Sequence, residues 1–277
     1  MKAAIQPRSQ RLRDCFAALA ASGRKAFISY ICAGDPDLDA TYDLVLGLAG
    51  AGVDIIELGV PYSDPMADGP ANQAACERAL ASGTTVAGVI ATVQRIRAHS
   101  QVPVIFFTYL NPILAYGIQR FATEAAAAGV DGLLVLDLPP DEDAEVLDIL
   151  RSAGLDTVCL AAPTTPKARK RFLADSSRGF LYYVCRLGVT GERATLPKDL
   201  QRQVASLRAV SKAPVCVGFG ISTPEQAAQA AGWGDGVIVG SHLVRLIETH
   251  GRGPRAALVA AVSQRARVLA DAVHGVV

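Results

Sequence analysis

Short apolar runs rich in β-branched residues recur about every 25 to 30 residues, and each is followed by a longer alanine-rich stretch. The short runs are typical of buried strands, and the longer stretches carry apolar residues at helical spacing. Strands are predicted at residues 26–31, 55–60, 104–108, 132–136, 157–160, 180–184, 215–217 and 236–239. Helices are predicted at 38–50, 85–99, 118–128, 141–153, 166–175, 197–210, 224–230 and 241–247.

This alternation predicts an α/β fold with parallel strands. Eight strand–helix units with no break in composition favour a closed (β/α)8 TIM barrel over a doubly wound open sheet, and one domain over residues 1–277. An extra N-terminal helix at about 9–21 is expected to cover the barrel bottom, and an amphipathic helix at 252–277 to close the chain. Since such barrels carry their reacting groups at the C-terminal strand ends, the residues just after each strand are the candidates for function.

Charge and composition narrow the range of ligands. The chain has 27 Lys and Arg against 26 Asp and Glu, so no net basic field would attract nucleic acid or a membrane, and a phosphate would have to be held locally. Neither a signal-peptide pattern nor an uninterrupted apolar stretch of about 18 residues occurs, which predicts a soluble, cytoplasmic protein. The six cysteines form no CxxC pair and the four histidines do not cluster with metal ligands, so neither a disulfide framework nor a metal site is expected.

Two carboxylates stand out in the segment ELGVPYSDPMADGP, which begins at Glu57. Glu57 lies between two apolar residues of a strand, where a buried carboxylate is costly unless it is paired or functional. Asp68 lies in the following loop, so both groups could converge on one bound molecule. The residues alone leave two alternatives open: Glu57 could satisfy a buried lysine or backbone group, and Asp68 could cap the helix that begins near Pro70.

The segment ELGVPYSDPMADGP resembles the signature of the tryptophan synthase alpha-subunit family, and the similarity extends over about residues 25–245. Further family motifs follow the strands in order: AGDP at 33–36, YLNPI at 109–113, DLP at 137–139, GVTG at 188–191, GFGIS at 218–222 and GS at 240–241. The resemblance implies a lyase of tryptophan biosynthesis that cleaves indole-3-glycerol phosphate to indole and glyceraldehyde 3-phosphate by a retro-aldol step. It also implies a beta-subunit partner in an α2β2 heterotetramer, with pyridoxal phosphate in that partner and no cofactor in this chain.

The same resemblance implies roles for individual residues. Glu57 would be the acid–base group that protonates indole C3, and Asp68 would stabilise the positive charge that develops at the indole nitrogen. Tyr182 would contact the substrate near Glu57, and Thr190 would help to close its loop over Asp68. The positions implied to line the indole pocket are Tyr30, Phe107, Leu134 and Phe219, for which packing in the core is the alternative.

Glycines after the last strands give a separate argument for a phosphate site. Gly220, Gly240 and Ser241 combine open backbone N–H groups with a helix N-terminus, which favours an anion. The family resemblance adds Gly191 from the loop after the sixth strand. Turn formation is the alternative for any single glycine. The neighbouring His242 could contribute to this site, but a position on the helix surface is expected.

Two residues depart from the family pattern. Tyr30 stands where the family usually has Phe, which adds a hydroxyl group that needs a partner, and Asn72 stands where it usually has a branched aliphatic residue.

The competing functions are another phosphate-binding barrel of aromatic amino-acid synthesis and a non-catalytic ligand-binding subunit. The former would lack the ELGxPxSDPxADGP segment, and the latter would have lost Glu57 or Asp68.

Overall fold

A computed structural model describes residues 10–184, 196–218 and 220–276. In order along the described chain, the strands are β1 (Ala26–Cys32), β2 (Ile55–Gly59), β3 (Val104–Thr108), β4 (Gly132–Val135), β5 (Asp156–Thr157), β6 (Cys159–Ala161), β7 (Leu181–Val184), β8 (Val215–Gly218) and β9 (Gly236–Val239). The helices are α1 (Arg11–Ala21), α2 (Leu38–Gly50), α3 (Pro70–Ala81), α4 (Val86–Arg97), α5 (Leu110–Tyr116), α6 (Ile118–Ala128), α7 (Ala144–Ser152), α8 (Lys167–Ser176), α9 (Leu200–Arg208), α10 (Pro224–Trp233), α11 (Ser241–His250) and α12 (Arg255–His274).

The strands form a parallel sheet in the order β5-β4-β3-β2-β1-β9-β8-β7-β6. The two end strands, β5 and β6, are separated in the chain by Val158 alone, so they are two parts of one bent strand that completes the ring. The first and last strands pair directly, with Ser29 opposite Val239. The predicted TIM barrel is therefore confirmed, with its fifth strand divided in two.

The helical prediction missed α5, and for α3 it gave only a start near Pro70 and no extent. The buried face of α3 consists of small or polar side chains, including Asn72, Ala75 and Ala79, which produce a weak apolar pattern. Helix α5 has seven residues, too few to show a helical period. The eight predicted helices of the strand–helix units are all present. Helices α2 and α6 have the predicted bounds, whereas others have shifted ends: α7 begins at Ala144 and α9 at Leu200. No helix in the described part of the chain is both long and apolar enough to span a bilayer.

Alternate side chains of the strands fill the barrel interior below the cavity and extend up to its wall. Helix α1 contributes Leu12, Phe16 and Leu19 to this interior cluster, and thus covers the barrel bottom as predicted. The strand residues of the cluster are Ala26, Ile28, Ile55, Ile105, Leu134, Val158, Phe180, Tyr182, Val184, Cys216 and Ile238. A larger apolar cluster lies between the outer faces of the strands and the surrounding helices. With the bottom filled, the open end of the barrel is the C-terminal one.

A buried ion cluster attaches α1 and α4 to the barrel bottom. Asp131, just before β4, is fully buried, and its carboxylate accepts hydrogen bonds from Arg11 Nε and Arg97 Nη2, both at 2.9 Å. It also accepts one from the Val104 backbone N–H at 2.8 Å. The Arg97 side chain is only 11% exposed, so removal of the Asp131 charge would leave a largely buried guanidinium without its counter-ion.

Asp131→Asn is therefore expected to lower the free energy of unfolding by about 3 kcal/mol, because it leaves that buried cation uncompensated. The matched control is Asp39→Asn, which breaks an exposed pair with Arg95 of the same helix α4 and should change the free energy of unfolding much less, because solvent screens that pair. Urea unfolding followed by circular dichroism measures both. Equal losses in the two variants would contradict the role given to Asp131.

Candidate active site

A cavity with about 980 Å³ of empty space, including its mouth, opens at the C-terminal end of the barrel. Side chains from six strands, together with residues of the loops that follow strands, form its wall. The lining residues are Tyr30, Glu57, Ala67, Asp68, Asn72, Phe107, Leu136, Leu160, Tyr182, Val184, Gly220, Ile221, Ile238, Gly240, Ser241 and His242.

Most of the predicted site residues come together in this cavity. The predicted residues among its lining are Glu57, Asp68, Tyr30, Phe107, Tyr182, Gly220, Gly240 and Ser241. Leu134 lies in the barrel interior, and Leu136, two residues further along the same face of the strand, lines the cavity. Thr190, Gly191 and Phe219 lie outside the described residues.

Glu57 points into the barrel from the middle of β2. It pairs with Tyr30 on one side and Ile105 on the other, and it is 1% exposed. Its Oε1 atom has no hydrogen-bond partner among the described residues, so a compensating lysine or backbone group, the alternative considered above, is not seen at this atom. Burial raises the pKa of Glu57 to about 8. A carboxyl group with such a pKa can both donate and accept a proton near neutral pH.

Asp68 is also buried, but two donors hold its carboxylate. Its Oδ2 accepts a hydrogen bond from the Tyr109 hydroxyl at 2.8 Å, and its Oδ1 accepts one from Asn72 Nδ2 at 3.1 Å. Burial raises the pKa of Asp68, and the two hydrogen bonds oppose that rise because they stabilise the ionised form. The N-cap position of α3 is held by Gly69, so Asp68 is not the cap of this helix.

Tyr109 and Asn72 are site residues to which no catalytic or binding role is assigned from the sequence. Besides contacting Asp68, the Tyr109 hydroxyl accepts a hydrogen bond from the Ala67 backbone N–H at 3.0 Å and so fixes the loop after β2. Asn72 supplies a donor that an aliphatic residue could not, which gives its departure from the family pattern a physical consequence. The available signals were the position of Tyr109 directly after a strand and the polar character of Asn72.

Two tyrosines form flat walls where glycines allow a close approach. The Tyr30 ring packs edge-on against Phe107, with ring centroids 5.0 Å apart. Its hydroxyl lies against Gly59, where an added Cβ atom would come within 2.6 Å. Tyr182 lies against Gly218 in the same way. Burial raises the pKa of Tyr30 well above its ordinary value, so its hydroxyl stays protonated.

The opposite side of the cavity is suited to an anion. Helix α11 starts at Ser241, and its N-cap residue Gly240 provides no side-chain cap, so the first N–H groups of the helix are not satisfied by such a cap. Gly220 has a φ of +78°, a left-handed conformation that glycine adopts at little cost. His242 is half-buried and lines the cavity, so its expected position on the helix surface is wrong.

The arrangement fits a molecule with a flat apolar part at the aromatic wall and an anionic part at α11. Glu57 and Asp68 can then act on the atoms between and beside these parts. Within residues 10–184, 196–218 and 220–276, no group of three or more His, Cys, Asp or Glu side chains is placed to hold a metal ion. The groups seen in the cavity are those of acid–base chemistry.

Known proteins share this architecture. A family model described as tryptophan synthase alpha chain matches residues 16–274. The tryptophan synthase alpha chain of Geobacter sp. (strain M21) is 50% identical over 240 residues, which cover 87% of this chain and 90% of the relative. The crystal structure of tryptophan synthase subunit alpha from Legionella pneumophila str. Paris has a TM-score of 0.87 at 38% identity and covers 96% of this chain and 98% of that one. A structure of Mycobacterium tuberculosis tryptophan synthase has a TM-score of 0.87 at 37% identity, with 97% and 99% covered.

Glu57→Gln is expected to stabilise the protein increasingly as the pH rises. The folded pKa of Glu57, about 8, lies above the ordinary value of 4.5, so the folded protein holds this proton more tightly than the unfolded chain does. The wild type therefore loses stability relative to the variant between those two pH values, by up to roughly 5 kcal/mol at about 1.4 kcal/mol per pKa unit. Urea unfolding of both proteins across this range tests the sign. A difference independent of pH would show that Glu57 is not protonated in the folded state.

Proposed function

Because this chain belongs to the tryptophan synthase alpha chain family and is the lyase that cleaves indole-3-glycerol phosphate in tryptophan biosynthesis, we propose that the cavity at the C-terminal end of its barrel is the active site. The products of this cleavage are indole and glyceraldehyde 3-phosphate. One observation carries the proposal: a buried carboxyl group with a pKa of about 8, Glu57, lines the same cavity as Asp68 and the N-terminus of α11.

In this proposal the indole ring lies against the aromatic and aliphatic wall of the cavity. Tyr30, Phe107 and Tyr182 offer flat surfaces, Leu136 and Leu160 complete the wall, and Leu134 supports it from the interior. The phosphate group lies at Gly220, Gly240 and Ser241, where backbone N–H groups and the α11 dipole favour negative charge. The family resemblance adds Phe219 to the ring wall, Gly191 to the phosphate site and Thr190 to the loop that closes over Asp68.

Glu57 then performs both proton transfers. Protonated at rest, it gives its proton to indole C3, which converts the ring to an indoleninium cation. As a carboxylate, it takes the proton from the hydroxyl group on the carbon attached to C3. The bond between C3 and that carbon breaks, its electron pair restores the aromatic indole, and the carbon becomes the aldehyde of glyceraldehyde 3-phosphate. The proton returned to Glu57 leaves the enzyme ready for another cycle.

Asp68 stabilises the cation between these two steps. Positive charge develops on the ring nitrogen, and a fixed carboxylate in a largely dry site stabilises it more strongly than water would. Tyr109 and Asn72 act as positioning residues, because their hydrogen bonds hold the carboxylate in place and favour its ionised form. These proton transfers require only side chains, which supports a chain without its own cofactor. A pyridoxal phosphate group in the beta subunit is what the family resemblance implies.

The proposal also covers the protein partner of this chain, its location in the cell and the extent of its domain. We propose that a beta subunit docks at the C-terminal rim in an α2β2 assembly, supported by the exposed apolar side chains of Met66 and Leu114 near this rim. The cysteines at described positions are free thiols, which supports a reducing cytoplasmic location. The continuous sheet supports one domain over residues 1–277.

The catalytic pair is tested by two isosteric changes. Glu57→Gln is expected to lower indole release by at least about a hundredfold, because it removes proton transfer without a change in volume. Asp68→Asn should also remove most turnover while the protein still binds indole-3-propanol phosphate, because the Asp68 charge matters chiefly in the transition state. The control is Asp64→Asn, an exposed aspartate in the same loop, which should keep near-wild-type turnover. Parallel loss of binding and turnover in Asp68→Asn would make Asp68 a structural residue.

The partner is tested by mass and by activity. Adding beta subunit should shift the chain to the mass of four subunits in size-exclusion chromatography with light scattering, and should speed indole release at saturating substrate. Leu114→Asp should weaken this assembly at least about tenfold and leave turnover of the isolated chain unchanged, because it places a charge in an apolar interface. Val268→Asp on α12, also at an exposed apolar position, is the control. Unchanged assembly in Leu114→Asp would move the interface elsewhere.

A further inference from the structure

A second cavity lies next to the active-site cavity, between β4 and β6, and reaches helices α7 and α8. It holds about 1050 Å³ of empty space, including its mouth. We propose that this side cavity is a subsite for an apolar extension of the substrate ring, and that Leu136 and Leu160 close it off from the active site. The inference rests on the function proposed above, since it concerns the ring end of the same substrate.

The side cavity passes through the wall of the barrel. Its lining includes Leu134 and Val158, whose side chains belong to the interior cluster of the barrel. It also includes Leu133 and Cys159, whose side chains belong to the outer cluster between the strands and the helices. Neighbouring residues of a strand point to opposite faces, so one cavity can touch both faces only where the strands leave a gap.

The bend in the fifth strand explains this gap. Pairing between β4 and β5 ends at Leu133 and Thr157, and the Val158 backbone N–H donates to the Leu133 carbonyl oxygen at 2.8 Å. Beyond this point the chain continues as β6, which pairs with β7. In the described part of the sheet β4 and β6 are not neighbours, because β5 and β6 are its two ends. The wall is therefore open beside residues 134–136 and 159–161.

Leu136 and Leu160 close this opening toward the active site. They are the two described residues that line both cavities, and each is only partly buried. Both belong to the ring end of the active-site cavity, whereas the proposed phosphate site follows β8 and β9 on the opposite side. A bound indole ring therefore points toward the two leucines, and their side chains set how far the ring can extend.

The chemistry of the side cavity favours an apolar group. Leucine, valine and proline side chains form the greater part of its lining. Its two cations already have partners, since Arg151 Nε donates to the Thr157 hydroxyl at 3.0 Å and Arg169 pairs with Asp141. An aromatic ring fits such surroundings, because it gains from apolar burial and can stack on a guanidinium group.

A packing gap without access from the active site is the competing explanation, and ligands of two sizes separate the two. The parent ligand is indole-3-propanol phosphate, and its analogues carry a phenyl group on each of the benzo-ring carbons in turn. One analogue then directs its phenyl group toward the leucines for any tilt of the ring. The wild type should bind every analogue at least about a hundredfold more weakly than the parent, because the closed wall leaves no room for a phenyl group.

Leu160→Ala should reverse this preference. The substitution vacates the space of an isopropyl group, which is too little for a phenyl group unless the side cavity adds to it. At least one analogue should then bind this variant about tenfold more tightly than the parent does, because of the apolar area that it buries. Leu136→Ala opens the wall from the other side of the gap and should favour a phenyl analogue in the same way.

Two further variants test the connection between the cavities. Ile238→Ala removes as many carbon atoms from the active-site cavity, but Ile238 is not among the described residues that line the side cavity, so no analogue should gain affinity. Val135→Phe adds bulk to the side cavity alone. Combined with Leu160→Ala, it should abolish the gain for the phenyl analogue and change the Kd of the parent less than about twofold.

Four results would overturn the proposal: tight binding of a phenyl analogue by the wild type, no gain in either leucine variant while the parent still binds, an equal gain in Ile238→Ala, or a gain that persists with Val135→Phe. Failure of the proposed function looks different, because the wild type would then release no indole from indole-3-glycerol phosphate or would not bind the parent ligand. A wild type that does both, together with leucine variants that bind only the parent, would refute only the role of the side cavity.

Discussion

The hydrogen bonds that join β1 to β9, together with the bent fifth strand, close the parallel sheet into a ring on which the whole site depends. Since all strands run in one direction, closure brings their C-terminal ends to a single rim. Helix α1 fills the opposite end with Leu12, Phe16 and Leu19. Glu57 from β2, Tyr182 from β7 and the start of α11 after β9 therefore face one cavity, although more than 180 residues separate Glu57 from Ser241.

The same closed interior explains the chemistry of the two carboxyl groups. Apolar surroundings raise the pKa of Glu57 to about 8, which makes it a proton donor at neutral pH. Asp68 is subject to the same burial, but Tyr109 and Asn72 donate to it and favour its ionised form. The two carboxyl groups have similar ordinary pKa values, and their different surroundings separate these values, as acid–base catalysis requires. A buried carboxyl group without a partner lowers the folding stability, and the same burial raises the pKa on which its proton transfer depends.

The phosphate end shows how the outer helices take part in the site. Helix α12 packs outside the barrel against α2, α10 and α11, yet its Arg265 contacts both the loop after β8 and the first turn of α11. The closing helix is therefore connected to the ligand end of the cavity through hydrogen bonds as well as through apolar packing. The anion site depends on the arrangement of three elements rather than on one helix N-terminus.

The sequence by itself determined the barrel and most of the described candidate residues. Strand and helix periodicity repeats locally, and a polar residue at a strand end, such as Glu57, is visible without any tertiary contact. Periodicity shows which face of a strand a residue occupies, but not how far along the barrel axis it lies. Leu134 was therefore expected to line the cavity, whereas Leu136 lines it. Only the tertiary structure decided that Tyr109 meets Asp68 and that Arg265 meets His242, since those partners are 41 and 23 residues apart. Such contacts arise from the closure of the ring and the packing of helices around it, which no local pattern encodes.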